Sequence, residues 1–395
     1  MSARHLELQM KNRIVCLLAI LACAGMASTS AQAPSDAPVE ARIPFAPIPA
    51  KSNGQTIVAY ELHLTNLIAR ELTLNRIEVF RQDIRSTPIV SYQNANLVDL
   101  IVQPGNPSTT NDKRKIAGGM RAIVYMWLTF DKQEAIPRTL RHRLVFTLEG
   151  ADGKAEEHDL EVSGPNVPQV QPITVASPLK GGFWYAVNGP SNQSVHRRAL
   201  LPVAGEARIS QRFATDWTKF GADGKAWHGD SKSNANWYGY GVEVLAVADA
   251  VVSAVKDGIP ENVPLSPTRA VPITLETAGG NHVIISLRNG HYAYYAHLQP
   301  GSIRVKPGDR VRRGQVLGLL GNSGNSDAPH LHFHISNGDS PMGSEGVPFL
   351  FDSFEVLGNA EMEKVLTQGW TVPAAVKPEK RLRDMPVENQ VLTFD

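Results

Sequence analysis

The sequence predicts an all-β protein: an N-terminal β-sandwich followed by a C-terminal, barrel-sandwich-like β domain. Two observations give the fold class. Short runs rich in Val, Ile, Leu, Tyr and Phe recur along the chain, and turns bearing Gly, Pro or polar residues separate them. The runs fall into two series, parted by a proline-bearing stretch. A third observation concerns chemistry. In Pro329 to Ile335, histidines occupy every second position of an apolar run. With 42% apolar and 19% charged residues in 395, a sizeable core is feasible and wholesale disorder is excluded.

Residues 1–33 read as an export signal. Lys11 and Arg13 precede an apolar run over 14–26, and small residues follow through Ala27, Ser28, Ser30, Ala31 and Ala33. The run is short for a membrane span, so no transmembrane helix is expected in the mature chain. Cleavage is expected near Ala31 or Ala33; the alternative is lipid attachment at Cys23. Either places the protein outside the cytoplasm, in the periplasm or cell envelope. Both cysteines, Cys16 and Cys23, lie in this segment. A chain cut after Ala31 has no thiol, so a metal site in it must use His, Asp or Glu, and a cysteine nucleophile is excluded.

Residues 34–55, rich in Ala and Pro, are expected to be a flexible leader. The sandwich is expected over 56–163, with strands at 56–64, 72–80, 122–130 and 143–148. His63, His142 and His158 are isolated there and read as ordinary strand or surface histidines. Residues 164–190, with Pro165, Pro168, Pro172 and Pro178, read as an extended linker. The second domain is expected over 191–354, with strands at 207–217, 242–255, 282–287, 292–297, 315–320 and 330–335. A tail over 355–395 includes a short helix at 361–366. With 39 basic and 38 acidic side chains the net charge is +1, which argues against a nucleic-acid partner.

In a strand, His330, His332 and His334 would share one face while Leu331, Phe333 and Ile335 take the other. Imidazoles on one face suit metal binding, proton transfer, or both.

Five short blocks follow one another in order: Gly280-Asn281-His282-Val283-Ile284-Ile285; Tyr295-Ala296-His297-Leu298; Val305-Lys306-Pro307-Gly308-Asp309-Arg310-Val311-Arg312-Arg313-Gly314-Gln315; Gly321-Asn322-Ser323-Gly324; and His330-Leu331-His332-Phe333. Together they resemble the lysostaphin/LytM-type zinc metalloendopeptidases, peptidoglycan endopeptidases with a duplicated hybrid motif fold. The resemblance implies Zn2+ as cofactor, peptidoglycan peptide stems as substrate, and hydrolysis of wall cross-links. It assigns His332 as a metal ligand, and His297 and His330 as off-metal catalytic residues. Some relatives lack ligands, so the alternative it implies is a non-catalytic member that binds the wall or activates another cell-wall hydrolase.

The family's other two ligands lie in an upstream His-x-x-x-Asp strand. Asp216 matches the aspartate, but the histidine position holds Arg212. A guanidinium stays protonated and offers no lone pair, so it cannot ligate zinc. The third ligand then comes from elsewhere: His196 first, with His228 or His334 as alternatives. Arg212 is left to pair with Asp216 or to clamp a substrate carboxylate. A long loop, 218–241, carries Trp227, Trp237, Tyr238 and Tyr240. Its aromatics either line a substrate groove, with Tyr238 and Tyr240 as binding residues, or anchor the loop to its own domain. The stretch 305–318 also resembles a lipoyl-carrier turn, but residues 321–329 contain no lysine to carry the cofactor, which excludes that reading.

Overall fold

The computed structural model describes residues 37–84, 86–105, 112–149, 154–372 and 377–395; the expected signal segment lies outside them. Among the described residues the chain is all-β, with α-helix confined to Asn94–Val98 and Met362–Gln368.

Two five-stranded sheets form the N-terminal sandwich. In one, Gln55–Asn66 runs antiparallel to Arg121–Asp131, from Gln55 opposite Asp131 to Thr65 opposite Arg121. In the other, Thr139–Glu149 pairs with Leu72–Arg81 and with Ala155–Asn166. Val58, Tyr60, Leu62 and Leu64 meet Leu72, Leu74, Ile77 and Phe146 between the sheets. The alternate residues of Gln55–Asn66 are also buried: Ile57 and Ala59 join the core of the C-terminal domain. A strand buried on both faces shows a near-continuous apolar run rather than alternation, as residues 57–62 do.

The C-terminal domain is built on an eleven-stranded sheet. Its central order is Phe183–Val187, Thr215–Phe220, Leu331–Ser336, Tyr292–Leu298, Asn281–Ser286 and Ala250–Lys256. A ribbon of Glu243–Leu245 and Val316–Leu319 packs over it, and Val244 and Leu317 share a core with Val283, Leu298, Leu331, Phe333 and Ile335. The sheet runs from Ile173–Val175 at one end to Arg310–Val311 at the other without closing, so the domain is two layers around one core rather than a closed barrel.

Three segments hold strands that were not assigned there, and residues 209–214 are irregular where a strand over 207–217 was expected. Within the leader, Val39–Arg42 and Ala50–Ser52 both pair with Gln55–Asn66. Within the linker, Ile173–Val175 lies parallel to Phe349–Asn359, and Phe183–Val187 pairs with Thr215–Phe220. In the tail, Glu379–Asp384 and Gln390–Thr393 both pair with Phe349–Asn359. Proline-rich composition masked the strands of the leader and linker, and Ile173–Val175 finds its partner at Phe349–Phe351, far off in sequence. Leu179, Trp184 and Phe394 are buried in the main core, each worth about 2–3 kcal/mol by area removed from water.

Candidate metal centre

Strand register assembles the site. Asp216 stands opposite His332 on the neighbouring strand, and His332 stands opposite Ala296 on the next. Leu331, Phe333 and Ile335 enter the core while His332 and His334 take the other face, as alternation requires. His297 follows Ala296 with φ of 64°, a left-handed conformation that non-glycine residues hold at a cost of about 1 kcal/mol or more. Its Nδ1–H donates to the Ser323 carbonyl at 2.8 Å.

Around Asp216 the imidazoles converge. His332 Nδ1 is 2.9 Å from Oδ1, His330 Nε2 is 3.3 Å from Oδ1, and His196 Nε2 is 3.4 Å from Oδ2. His196, Asp216 and His332 are all buried, and each offers a ligand atom within 4.8 Å of the others. Tetrahedral zinc with ligand distances near 2.1 Å separates its ligand atoms by about 3.4 Å, so this donor set fits the ion. The tautomers also fit. His196 Nδ1–H donates to Asn188 O at 2.9 Å, which leaves the Nε2 lone pair facing Asp216. His332 Nε2 lies 2.9 Å from His334 Nδ1, so with its proton on Nε2 the ring would donate there and leave Nδ1 free to ligate.

Burial lowers the His332 pKa to about 4, so the ring is neutral near pH 7. Burial also holds His297 far below the usual range, with His330 and His332 adding to it. Burial alone would lift Asp216, but His196 and His330 outweigh it and keep the carboxylate ionised. For His330 burial pulls down, but Asp216 beside it wins and raises the pKa. An imidazole made more basic next to a carboxylate suits proton transfer.

These residues border a cleft of about 880 Å3, whose wall includes His196, Asp216, His297, His330 and His332. Leu265, Ile273 and Leu275, at least 40% exposed, line its apolar side.

Other candidate residues lie elsewhere. Arg212 neither pairs with Asp216 nor lines the cleft: it is buried, with Nη2 2.7 Å from Glu61 and 2.8 Å from Glu345, and Nη1 donating to Gly346 O. A guanidinium so engaged cannot clamp a substrate. Tyr240 donates to Glu261 at 2.7 Å and Tyr238 to Asp223 at 3.3 Å, and neither lines the cleft; both brace the domain. Trp227 and Trp237 pack on each other at 4.8 Å, and Trp237 joins a core with Tyr185 and Leu357 while also lining the cleft. His228 is exposed beside Tyr238, and His334 backs His332 from behind.

Two contributors were missed. Asn188 donates from Nδ2 to Asp216 Oδ2 at 3.0 Å while its carbonyl accepts from His196. Its only sequence signal is the turn-like Asn188-Gly189-Pro190. Tyr294 lines the cleft and lies 4.9 Å from the His334 ring; a strand tyrosine carries no signal of its own.

Residues 238–344 match the model of Peptidase family M23. Lysostaphin of Staphylococcus staphylolyticus is 36% identical over 75 residues, 18% of this chain and 15% of the relative, the similarity that the motifs implied. Peptidoglycan DD-endopeptidase ShyA of Vibrio cholerae is 32% identical over 160 residues, 39% of this chain and 30% of the relative. Glycyl-glycine endopeptidase ALE-1 of Staphylococcus capitis is 46% identical over 56 residues, 14% of this chain and 15% of the relative. The matches thus span less than a third of these relatives' own length. The lysostaphin catalytic domain from Staphylococcus simulans aligns over 42% of this chain and 88% of its own at 22% identity and a TM-score of 0.23, too low to carry weight. Among the described residues no helix is long and apolar enough to cross a membrane.

Proposed function

We propose that the chain is an exported, zinc-dependent endopeptidase that hydrolyses peptide cross-links in bacterial peptidoglycan. One observation carries the reading: Asp216, His332 and His196 offer three ligand atoms in the wall of a cleft, with two more imidazoles beside them. His196 through Nε2, Asp216 through a carboxylate oxygen and His332 through Nδ1 would hold the ion. Bound zinc supplies Lewis acidity and lowers the pKa of its water. His330, raised in basicity by Asp216, takes and returns a proton at Nε2. His297, whose Nδ1–H is committed to Ser323 O, keeps a bare Nε2 that can accept a proton, with its ring 4.8 Å from that of His330. Leu265, Ile273 and Leu275 offer exposed apolar surface on one side of the cleft for a bound peptide to cover.

The non-catalytic alternative rested on Arg212. Its ion pairs with Glu61 and Glu345 give that arginine a structural occupation, and His196 offers a ligand atom in place of the missing histidine. Metal analysis of the purified protein, with digestion of isolated sacculi, tests the proposal. About one zinc per chain, lost in His332→Ala, and release of uncrosslinked stem peptides are expected. Protein without zinc, or sacculi left fully cross-linked by zinc-loaded protein, would end it.

A further inference from the structure

The buried charges between the two domains have no counterpart in the proposed chemistry, yet they touch both segments that bring ligands to it. Glu61 lies on Gln55–Asn66 of the sandwich, on the face turned to the C-terminal domain, and is 3% exposed. It accepts from Arg197 Nη1 at 2.7 Å, and from Arg212 Nε at 3.1 Å and Nη2 at 2.7 Å. Arg197 is the residue after His196. Its Nη2 also donates to the carbonyls of Tyr60 and Met126, both in sandwich strands, and its Nε donates to Asn192 Oδ1. Arg212 lies four residues before Asp216.

The segment 188–200 that carries His196 has no regular strand or helix of its own. Its fixed points lie largely on the sandwich: Asn192 Nδ2 donates to Tyr125 O at 2.9 Å, and Arg198 Nη2 to Asp99 O at 2.6 Å. Residues 209–214, ahead of the Asp216 strand, are likewise irregular and held through Arg212. Among the described residues, none of the sandwich lines the cleft.

We infer that Glu61 and Arg197 are positioning residues: through them the N-terminal sandwich sets where His196 and Asp216 stand, in a site the sandwich does not line. A buried carboxylate with two guanidiniums is costly to desolvate, and it is strongly destabilising to break. Such a network specifies one arrangement of the segments it joins. The inference rests in part on His196 and Asp216 being metal ligands, so its test includes a readout in metal-free protein.

Full-length wild type, Arg197→Ala and Glu61→Gln are compared, with Leu74→Ala as a control that loosens the sandwich core away from the network. In metal-free protein, 15N-histidine NMR reports the His196 tautomer, with Nδ1 protonated toward Asn188 O and Nε2 bare. Competition with a chromophoric chelator gives Zn2+ affinity, and the visible spectrum of the Co2+ form reports coordination. Arg197→Ala and Glu61→Gln are expected to lose the single-tautomer signal, bind Zn2+ at least tenfold more weakly and weaken the Co2+ bands. Leu74→Ala lowers the melting temperature and keeps all three. Should Glu61→Gln fail to fold, Arg197→Ala decides, because Glu61 there keeps Arg212. Folded variants with the wild-type His196 signal and Zn2+ affinity would overturn the inference, as would equal losses in Leu74→Ala. A wild type that binds no metal, with the His196 signal still lost in Arg197→Ala, would sink the metal reading and leave the positioning role standing.

Discussion

Asp216 is the hinge of the candidate site because three imidazoles face its two oxygens. His330 faces it but lies outside the three-residue ligand group, so ligation and proton transfer should separate by mutation. His330→Ala is expected to keep about one zinc per chain and to lose roughly a hundredfold or more in turnover, read by metal analysis beside digestion of sacculi. Equal loss of both would make His330 a ligand. Asn188 supports from outside: its backbone, at φ of 50°, suits glycine, so Asn188→Gly keeps the carbonyl that orients His196 and removes only the amide on Asp216. Second-layer losses of this kind weaken metal binding about 10- to 100-fold; chelator competition measures it. His332, His330 and His297 were legible from local motifs, since each sits in a short block. Asn188 was not, because its role depends on a carboxylate 28 residues away.

At the scale of elements, the tail is where the sequence left most unassigned and the structure adds most. Phe394 packs edge-on against Trp217 and Phe351, each at 5.3 Å, and Trp217 belongs to the strand that bears Asp216. Phe394→Ala is expected to cost about 3–5 kcal/mol, read from chemical unfolding of the full chain. A change under about 1 kcal/mol would mean that the tail is not part of that core. The central strands were legible because their apolar runs are long or alternate cleanly. The short strands at Val39–Arg42, Ile173–Val175 and Gln390–Thr393 were not, since a three- or four-residue strand owes its existence to its partners. The loop at 218–241 had two open readings. Its tyrosines are committed to Asp223 and Glu261, which favours bracing.

For the whole molecule, acid should act through the joint between domains. Burial alone would raise the Glu61 pKa, but Arg212 and Arg197 outweigh it and hold it at about 2. The folded pKa lies below the unfolded one, so the unfolded chain binds more protons between the two values. The resulting stability is complete above about pH 4.5 and is lost as pH falls toward 2; one such shift is worth about 3 kcal/mol. Urea unfolding from pH 5 to 2.5 should show a shallower fall for Glu61→Gln than for wild type, from a lower starting stability. Identical slopes would remove Glu61 from the acid response.

The sequence by itself determined the all-β class, the two-part order and the histidine motifs, because alternation, turn residues and short spacings are local properties. It also determined that Arg212 cannot ligate, since that follows from the chemistry of guanidinium alone. Only the tertiary structure decided what Arg212 does instead and which distant imidazole stands beside Asp216. Those answers turn on contacts between residues 61, 197, 212 and 345, whose meeting is set by how two sheets pack and leaves no periodic trace along the chain.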